Sequence, residues 1–242
     1  MNDSIFSFFI SRTSDDEILF DTAFGGLLFS DQYIQLSAML STNQIFGFGE
    51  HIRKTLMHDL SEYKTWGMNA RDAGTDAISD IPYNYYGVHP FYLALNPVNQ
   101  KAHGVFILNS NAQEVTLGPG PHLIYRTIGG QLELFFFPGP TPEAVIQQYQ
   151  QVIGRPYLPP YWGLGYQLCR WGYNGTEEIL GIVNEILKAG IPQDGQCADI
   201  DYMEGAKTFT YNKLPEWKNL PNLIDDLREN YGIHFILVRF FF

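Results

Sequence analysis

Asp199 and Asp201 flank Ile200 in the run Asp199-Ile200-Asp201-Tyr202-Met203, after an apolar approach that reads as a parallel β-strand reaching its end. Carboxylates at i and i+2 of a strand leave from the same face, because strand side chains alternate with period two. Two acids together on a buried strand end are costly to desolvate unless they hold something polar. The pair is therefore the leading candidate for a binding site. The same spacing also fits two strand-end residues that face solvent. Asp72 lies in a polar stretch with Asp76 and Asp80, and on composition alone it is a solvated carboxylate. His51, His58, His89, His103, His122 and His234 show no metal-ligand spacing, and no Ser-His-Asp arrangement or phosphate-binding glycine loop stands out. No cofactor or metal is expected.

The elements that must position these residues change rhythm along the chain. Up to residue 140 the pattern is all-β: short alternating or aromatic runs (18–21, 33–40, 88–95, 104–108, 114–117, 123–128 and 132–137) alternate with turn signals. Gly129-Gly130, between two such runs, predicts a hairpin. The many short strands predict a sandwich, and residues 57–84 read as one long polar loop. Residues 141–160 form a connecting helix and a stiff linker. Thr141 is the expected N-cap, Pro142 the first helical residue and Gly154 the stop, before Arg155-Pro156-Tyr157-Leu158-Pro159-Pro160. From 161 to 242 the order is β-α-β-α-β. Residues 163–170, 196–200 and 233–238 read as strands. The stripe Ile179, Ile182, Val183, Ile186, Leu187 and the set Leu220, Leu223, Ile224, Leu227 mark the helices between them. Alternation of this kind implies a parallel sheet with right-handed crossovers, whose functional residues gather at the C-terminal strand ends. Trp171 and Asp199 fall at two such ends.

Composition narrows the classes. The chain has 242 residues, 45% hydrophobic and 17% charged, which suits a packed globular protein with a sizeable core. A formal charge of −11 argues against a nucleic-acid partner, whose phosphates require a basic surface. Cys169 and Cys197 are too few for a disulfide framework; they lie in strands read as neighbours and are expected as free buried thiols, with a bridge, whose geometry is demanding, as the less favoured alternative. Asn2-Asp3-Ser4 and Asn174-Gly175-Thr176 are glycosylation sequons, usable only in a secreted chain. The apolar opening between Ile5 and Ile10 reads as a strand, not as a leader or a membrane span.

Several long motifs carry a resemblance. Residues 160–173 (Pro-Tyr-Trp-Gly-Leu-Gly-Tyr-Gln-Leu-Cys-Arg-Trp-Gly-Tyr), Gly190-Ile191-Pro192-Gln193-Asp194 and the acidic run at 199–203 are similar to glycoside hydrolase family 31. The match is best to its intestinal sucrase-isomaltase and maltase-glucoamylase group. The first half agrees through Phe46 to His51, Thr65-Trp66-Gly67-Met68 before Arg71-Asp72, and Tyr125-Arg126-Thr127-Ile128-Gly129-Gly130. The resemblance implies a galactose-mutarotase-like N-terminal β-sandwich followed by the first three strands of a (β/α)8 TIM barrel. It implies α-glucosides such as maltose and maltooligosaccharides as ligands. Asp199 would bond hydroxyls of the terminal glucose while Asp201 points into the structure, Ile200 line the same pocket, Asp72 reach the sugar from the sandwich loop, and Trp171 border the site where relatives have Tyr. Cys197 also stands where Tyr is usual. Relatives are secretory or anchored at the apical membrane.

The family's chemistry is retaining hydrolysis by two carboxylates about 5–5.5 Å apart. The motif carrying its nucleophile, Trp-x-Asp-Met-Asn-Glu in type, and the later acid/base do not occur in this sequence. Pro160 is followed by 82 residues, against about 200–250 for a whole barrel. The sequence therefore predicts a truncated, incomplete barrel, inactive alone, with open strand edges that invite self-association. A carbohydrate-binding fragment without catalysis and a by-product without function are the competing readings.

Overall fold

The computed structural model describes residues 6–53, 55–71 and 84–239. The chain divides into two compact units, Met1–Arg155 and Pro156–Phe242. Among the described residues the sheets of the first unit are antiparallel and the sheet of the second is parallel.

The first unit contains β1 (Phe9–Ser11), β2 (Ile18–Asp21), β3 (Leu27–Ser30), β4 (Tyr33–Leu40), β5 (Ile45–Gly47), β6 (Lys64–Gly67), β7 (Phe91–Leu95), β8 (Ala102–Ile107), β9 (Gln113–Gly118), β10 (His122–Thr127) and β11 (Leu134–Phe137), then helix α1 (Pro142–Ile153). One sheet has the order β1-β2-β4-β10-β9-β6 with β3 also on β4, and the other the order β11-β8-β7-β5. Period-two alternation on β4 turns Ile34, Leu36, Ala38 and Leu40 inward. Leu36, Ala38 and Leu40 share one core with Tyr92 and Ala94 of β7 and Val105 and Ile107 of β8, so the two sheets bury each other's apolar faces. Arg12 clamps this arrangement. It is buried, pairs with Glu17, and donates from Nε to the Pro138 carbonyl at 3.2 Å and from Nη2 to the Ala102 carbonyl at 3.1 Å.

Helix α1 begins as its sequence requires. Thr141 Oγ1 accepts from the Ala144 amide at 3.2 Å, Pro142 opens the first turn, and Gly154 leaves the helix at φ 89°. Val145 and Tyr149 pack it onto β8, and the approach is close enough that a Cβ at Gly104 would lie 2.6 Å from Val145 Cγ1. Beyond it the linker is extended and open, with Tyr157 and Leu158 both at least 80% exposed.

Two expectations change here. Gly129-Gly130 does not close a hairpin, because β10 belongs to one sheet and β11 to the other. The segment is a corner, stitched by Asn109 Nδ2 to the carbonyls of Gly129 (2.9 Å) and Gln131 (3.1 Å), with Gly130 at φ 79°. A positive φ serves such a corner as well as it serves a turn, so the glycines alone cannot separate the two. The expected long loop at 57–84 contains the strand β6, which pairs with β9 and buries Trp66. Its remainder from residue 72 to 83 lies outside the described residues.

The second unit starts with a 3-10 turn (Tyr161–Leu164), then β12 (Gln167–Leu168), α2 (Thr176–Lys188), β13 (Gly195–Ala198), short 3-10 turns at Ile200–Tyr202 and Glu204–Ala206, α3 (Leu220–Tyr231) and β14 (His234–Leu237). β13 lies between β12 and β14, parallel to both. Ile179 and Val183 of α2 and Leu220, Leu223 and Leu227 of α3 form one core with Ala198, Tyr202, Trp217 and Ile233. Gly190 and Gly232, at φ 72° and 69°, stop the helices. The first strand is much shorter than the 163–170 expected. Gly163 donates its amide to the Pro160 carbonyl at 2.8 Å, which winds 161–164 into a turn, and Gly165 passes so close to Asp194 that a Cβ would collide with its carboxylate.

Three buried imidazoles of the first unit are held neutral. Burial, reinforced by the nearby Arg53 cation, brings His51 down to about 4 and His58 to about 3, and burial brings His103 to about 4. His58 donates from Nε2 to the Gly47 carbonyl at 2.9 Å and presents Nδ1 to Arg53. Their unfolded values lie near 6.5, so the unfolded chain takes up more protons below that pH, and stability falls as pH drops from about 6.5 towards 4. Urea unfolding of the first unit is expected to show a midpoint that declines from pH 7 to pH 5, with a shallower decline in His103→Asn. A midpoint flat across that window contradicts the burial of these rings.

Candidate functional site

The parallel register sets what appears at the strand ends. Gln167 sits beside Gly195 and Leu168 beside Gln196; on the other flank Cys197 sits beside Ile236 and Ala198 beside Leu237. One step beyond the two-residue strand β12, Cys169 comes opposite Cys197, and the two are joined as a disulfide with Cα atoms 4.7 Å apart. This corrects the expectation of free thiols. Cysteine count alone hides the pairing, whereas strand register places the two residues side by side. On a chain-entropy account, closing a 28-residue separation is worth roughly 3.5 kcal/mol.

The acidic run departs from the expected strand geometry. β13 ends at Ala198, and Asp199 caps a 3-10 turn by accepting from the Ile200 amide through Oδ1 at 2.7 Å. Asp201 lies within that turn and accepts from the Gly172 amide through Oδ2 at 2.9 Å. The two carboxylates therefore do not share a strand face. Their i, i+2 relation holds on a strand and fails once the chain coils. They divide the work instead: Asp201 ties the end of β13 to the loop after β12. Among the described residues the second oxygen of Asp199 has no hydrogen-bond partner.

Trp171 stands 70% exposed in that loop, and Ile200 is partly buried against the core of the second unit. The backbone around Trp171 is held from several sides. Arg170 lies over the Tyr173 ring, 4.5 Å from its centroid, and pairs with Glu178 at 2.8 Å. Glu178 accepts from the Asn174 amide at 2.7 Å, which keeps its carboxyl below the ordinary range. A buried amide relay lies beneath: Gln193 Nε2 donates to Gln196 Oε1 at 2.9 Å, and Gln196 Nε2 donates to Tyr173 Oη at 3.1 Å. On the far flank Tyr202 Oη donates to the Val238 carbonyl at 3.0 Å. Sequence reasoning missed the glutamines and Tyr173. Gln196 inside an otherwise apolar strand was the available signal.

Trp171, Asp199 and Ile200 are thus brought to the same end of one parallel sheet, while Asp72 lies outside the described residues. A cavity of about 280 Å³ between Tyr202, Phe209, Tyr211, Ile224, Leu237 and Arg239 does not include the candidate residues. Among the described residues no group of three His, Cys, Asp or Glu side chains is arranged to hold a metal ion. The arrangement offers one hydrogen-bond-accepting carboxylate, an exposed indole face and an aliphatic wall, a set suited to a neutral ligand bearing hydroxyl groups.

Comparison with known proteins gives a consistent picture. Residues 156–239 match the glycosyl hydrolases family 31 TIM-barrel domain. Over 96% of its length the chain is 43% identical to intestinal sucrase-isomaltase of Oryctolagus cuniculus, and over 93% it is 39% identical to lysosomal α-glucosidase of Mus musculus. It spans 12% of the first of these proteins and 23% of the second. Among solved structures, a mutant family 31 dextranase of Flavobacterium johnsoniae complexed with isomaltotriose superposes with a TM-score of 0.78 at 24% identity, covering 97% of this chain and 28% of that one.

The bond from the Gly172 amide to Asp201 has a charged acceptor, a class worth about 1.5–3 kcal/mol when formed and costly when one partner is deleted. Asp201→Ala is expected to destabilise the second unit by about 1–2 kcal/mol and Asp201→Asn by less, measured by urea unfolding of the chain. Equal effects of the two substitutions count against the tie.

Proposed function

Because the chain belongs to glycosyl hydrolase family 31, we propose that it forms the glucose-facing wall of an α-glucosidase of the sucrase-isomaltase and maltase-glucoamylase type, acting on terminal α-linked glucose. In this reading residues 1–140 are a galactose-mutarotase-like β-sandwich, 141–160 the connecting helix and Pro-rich linker, and 161–242 the first three strands of a (β/α)8 barrel. The observation that carries it is the carboxylate of Asp199, set immediately past the end of a parallel strand with one oxygen uncommitted among the described residues. The C-terminal strand ends are where barrels of this type build their sites. Asp199 accepts hydrogen bonds from glucose hydroxyls, Ile200 packs against the sugar ring, and Trp171 offers an aromatic face where relatives carry Tyr.

Retaining hydrolysis needs a nucleophile and an acid/base. Neither of the motifs that carry them occurs in these 242 residues, so the chain assayed alone binds and does not turn over. With maltose or an aryl α-glucoside the purified chain is expected to give the background rate. Glucose or acarbose is expected to bind weakly, and Asp199→Ala to weaken it about 10–100-fold, the range of a lost charge-assisted hydrogen bond. Binding unchanged by Asp199→Ala removes the sugar from this rim, and robust turnover removes the claim of inactivity.

Among the described residues β12 and β14 each pair on one side only. Their outer edges template pairing with another copy. Sedimentation of the isolated chain is expected to show concentration-dependent oligomers. A monomer at tens of micromolar rules this out.

A further inference from the structure

We infer that the Cys169–Cys197 disulfide positions the rim of the candidate sugar site and makes ligand binding there depend on redox state. The inference rests on the sugar-binding reading above and adds a form of control to it. The ladder between β12 and β13 comprises two residue pairs, 167 with 195 and 168 with 196, and the crosslink is the next rung. Trp171 follows Cys169 by two residues and Asp199 follows Cys197 by two. The bond therefore fixes the separation of the two backbones where the indole and the carboxylate leave them. Among the described residues the other hydrogen bonds between these segments are those from the Gly172 amide to Asp201 and from Gln196 to Tyr173, and Tyr173 also packs in the core that holds Ala198 and Tyr202. Arg170 and Glu178 hold the loop to α2, not to β13.

The chemistry is open from one side. Cys169 is exposed while Cys197 is buried, so an external thiolate reaches the Cys169 sulfur first. With a dithiol as reductant, its thiolate attacks Cys169 Sγ, the Sγ–Sγ bond breaks, and Cys197 leaves as a thiolate that takes a proton. The second thiol of the reductant then closes on the first to form a cyclic disulfide, releasing Cys169, which is protonated in turn. The protein gains two electrons and two protons, and the dithiol loses them. Freed of the rung, the 169–173 loop keeps its tether to α2 and loses its fixed distance from Asp199.

The test compares the oxidised 242-residue chain with the chain reduced by dithiothreitol, with thiols counted to confirm two per molecule. Hydrogen exchange and titration with acarbose are read on both. On reduction, exchange is expected to rise at 169–173 and 199–202 but not in β1–β11. Affinity is expected to fall by about tenfold, within the usual span of coupled sites, and to return on reoxidation. The double variant Cys169→Ser with Cys197→Ala should match the reduced chain under both conditions. The inference is overturned if the purified chain carries two free thiols under air, if the reduced rim exchanges and binds as before, or if reduction melts the whole of 156–239. An oxidised chain that binds no acarbose sinks the sugar reading instead, while the exchange data still decide whether the crosslink orders the rim.

Discussion

β13 is four residues long, fully buried, and hydrogen-bonded to a parallel neighbour on each side. A strand so placed cannot slip, because a shift of one residue would send Gln196 and Ala198 to faces built for their neighbours. Its register decides that Cys197 meets Cys169, that Ala198 is the last ladder residue, and that the chain turns at Asp199. The spacing of Trp171 from the acidic turn follows from that register. So does the placement of Tyr202, whose hydroxyl reaches the Val238 carbonyl after the third strand.

The two ends of this sheet are held by different physics. At the N-terminal end the contacts are backbone bonds and ring stacking. Asp194 donates its amide to the Tyr166 carbonyl and accepts from the His234 amide, each at 2.9 Å, and Trp162 stacks on His234 with centroids 4.2 Å apart. At the C-terminal end polar side chains and one covalent bond add to the backbone bond from the Val238 amide to the Ala198 carbonyl at 3.1 Å. Stacked and laddered contacts tolerate little change of shape. Polar ties can be exchanged one at a time, which suits a rim that must fit a ligand.

Much of this was legible in the amino-acid sequence, and the reasons are local. The sequence bounds of Ile18–Asp21 and Tyr33–Leu40 match the observed ones, the first because an apolar run stops at a charged residue and the second because Ile34, Leu36, Ala38 and Leu40 alternate with polar or outward residues. Helix α1 was readable from Thr141, Pro142 and Gly154 because capping is decided within a few residues. Tertiary decisions were not legible in this way. Whether Gly129-Gly130 turns back within a sheet or crosses to another depends on partners far along the chain. The conversion of Asp199 from strand to cap depends on where β14 stops supporting β13. The disulfide required the register of two neighbouring strands, which adjacency alone does not give. For the candidate site, the split between Asp199 and a structural Asp201 was readable and the partners were not: neither the bond that ties Asp201 to the Gly172 amide nor the glutamine relay that reaches Tyr173 has a linear motif.

The extended segment joining the two units has a chemical asymmetry. Proline follows Arg155 and also follows Leu158, and trypsin-type proteases do not cut before proline. Tyr157, 89% exposed and followed by Leu158, is open to a chymotrypsin-type enzyme. At this segment a trypsin-type enzyme therefore leaves the backbone whole, and a chymotrypsin-type enzyme cuts it between the two units.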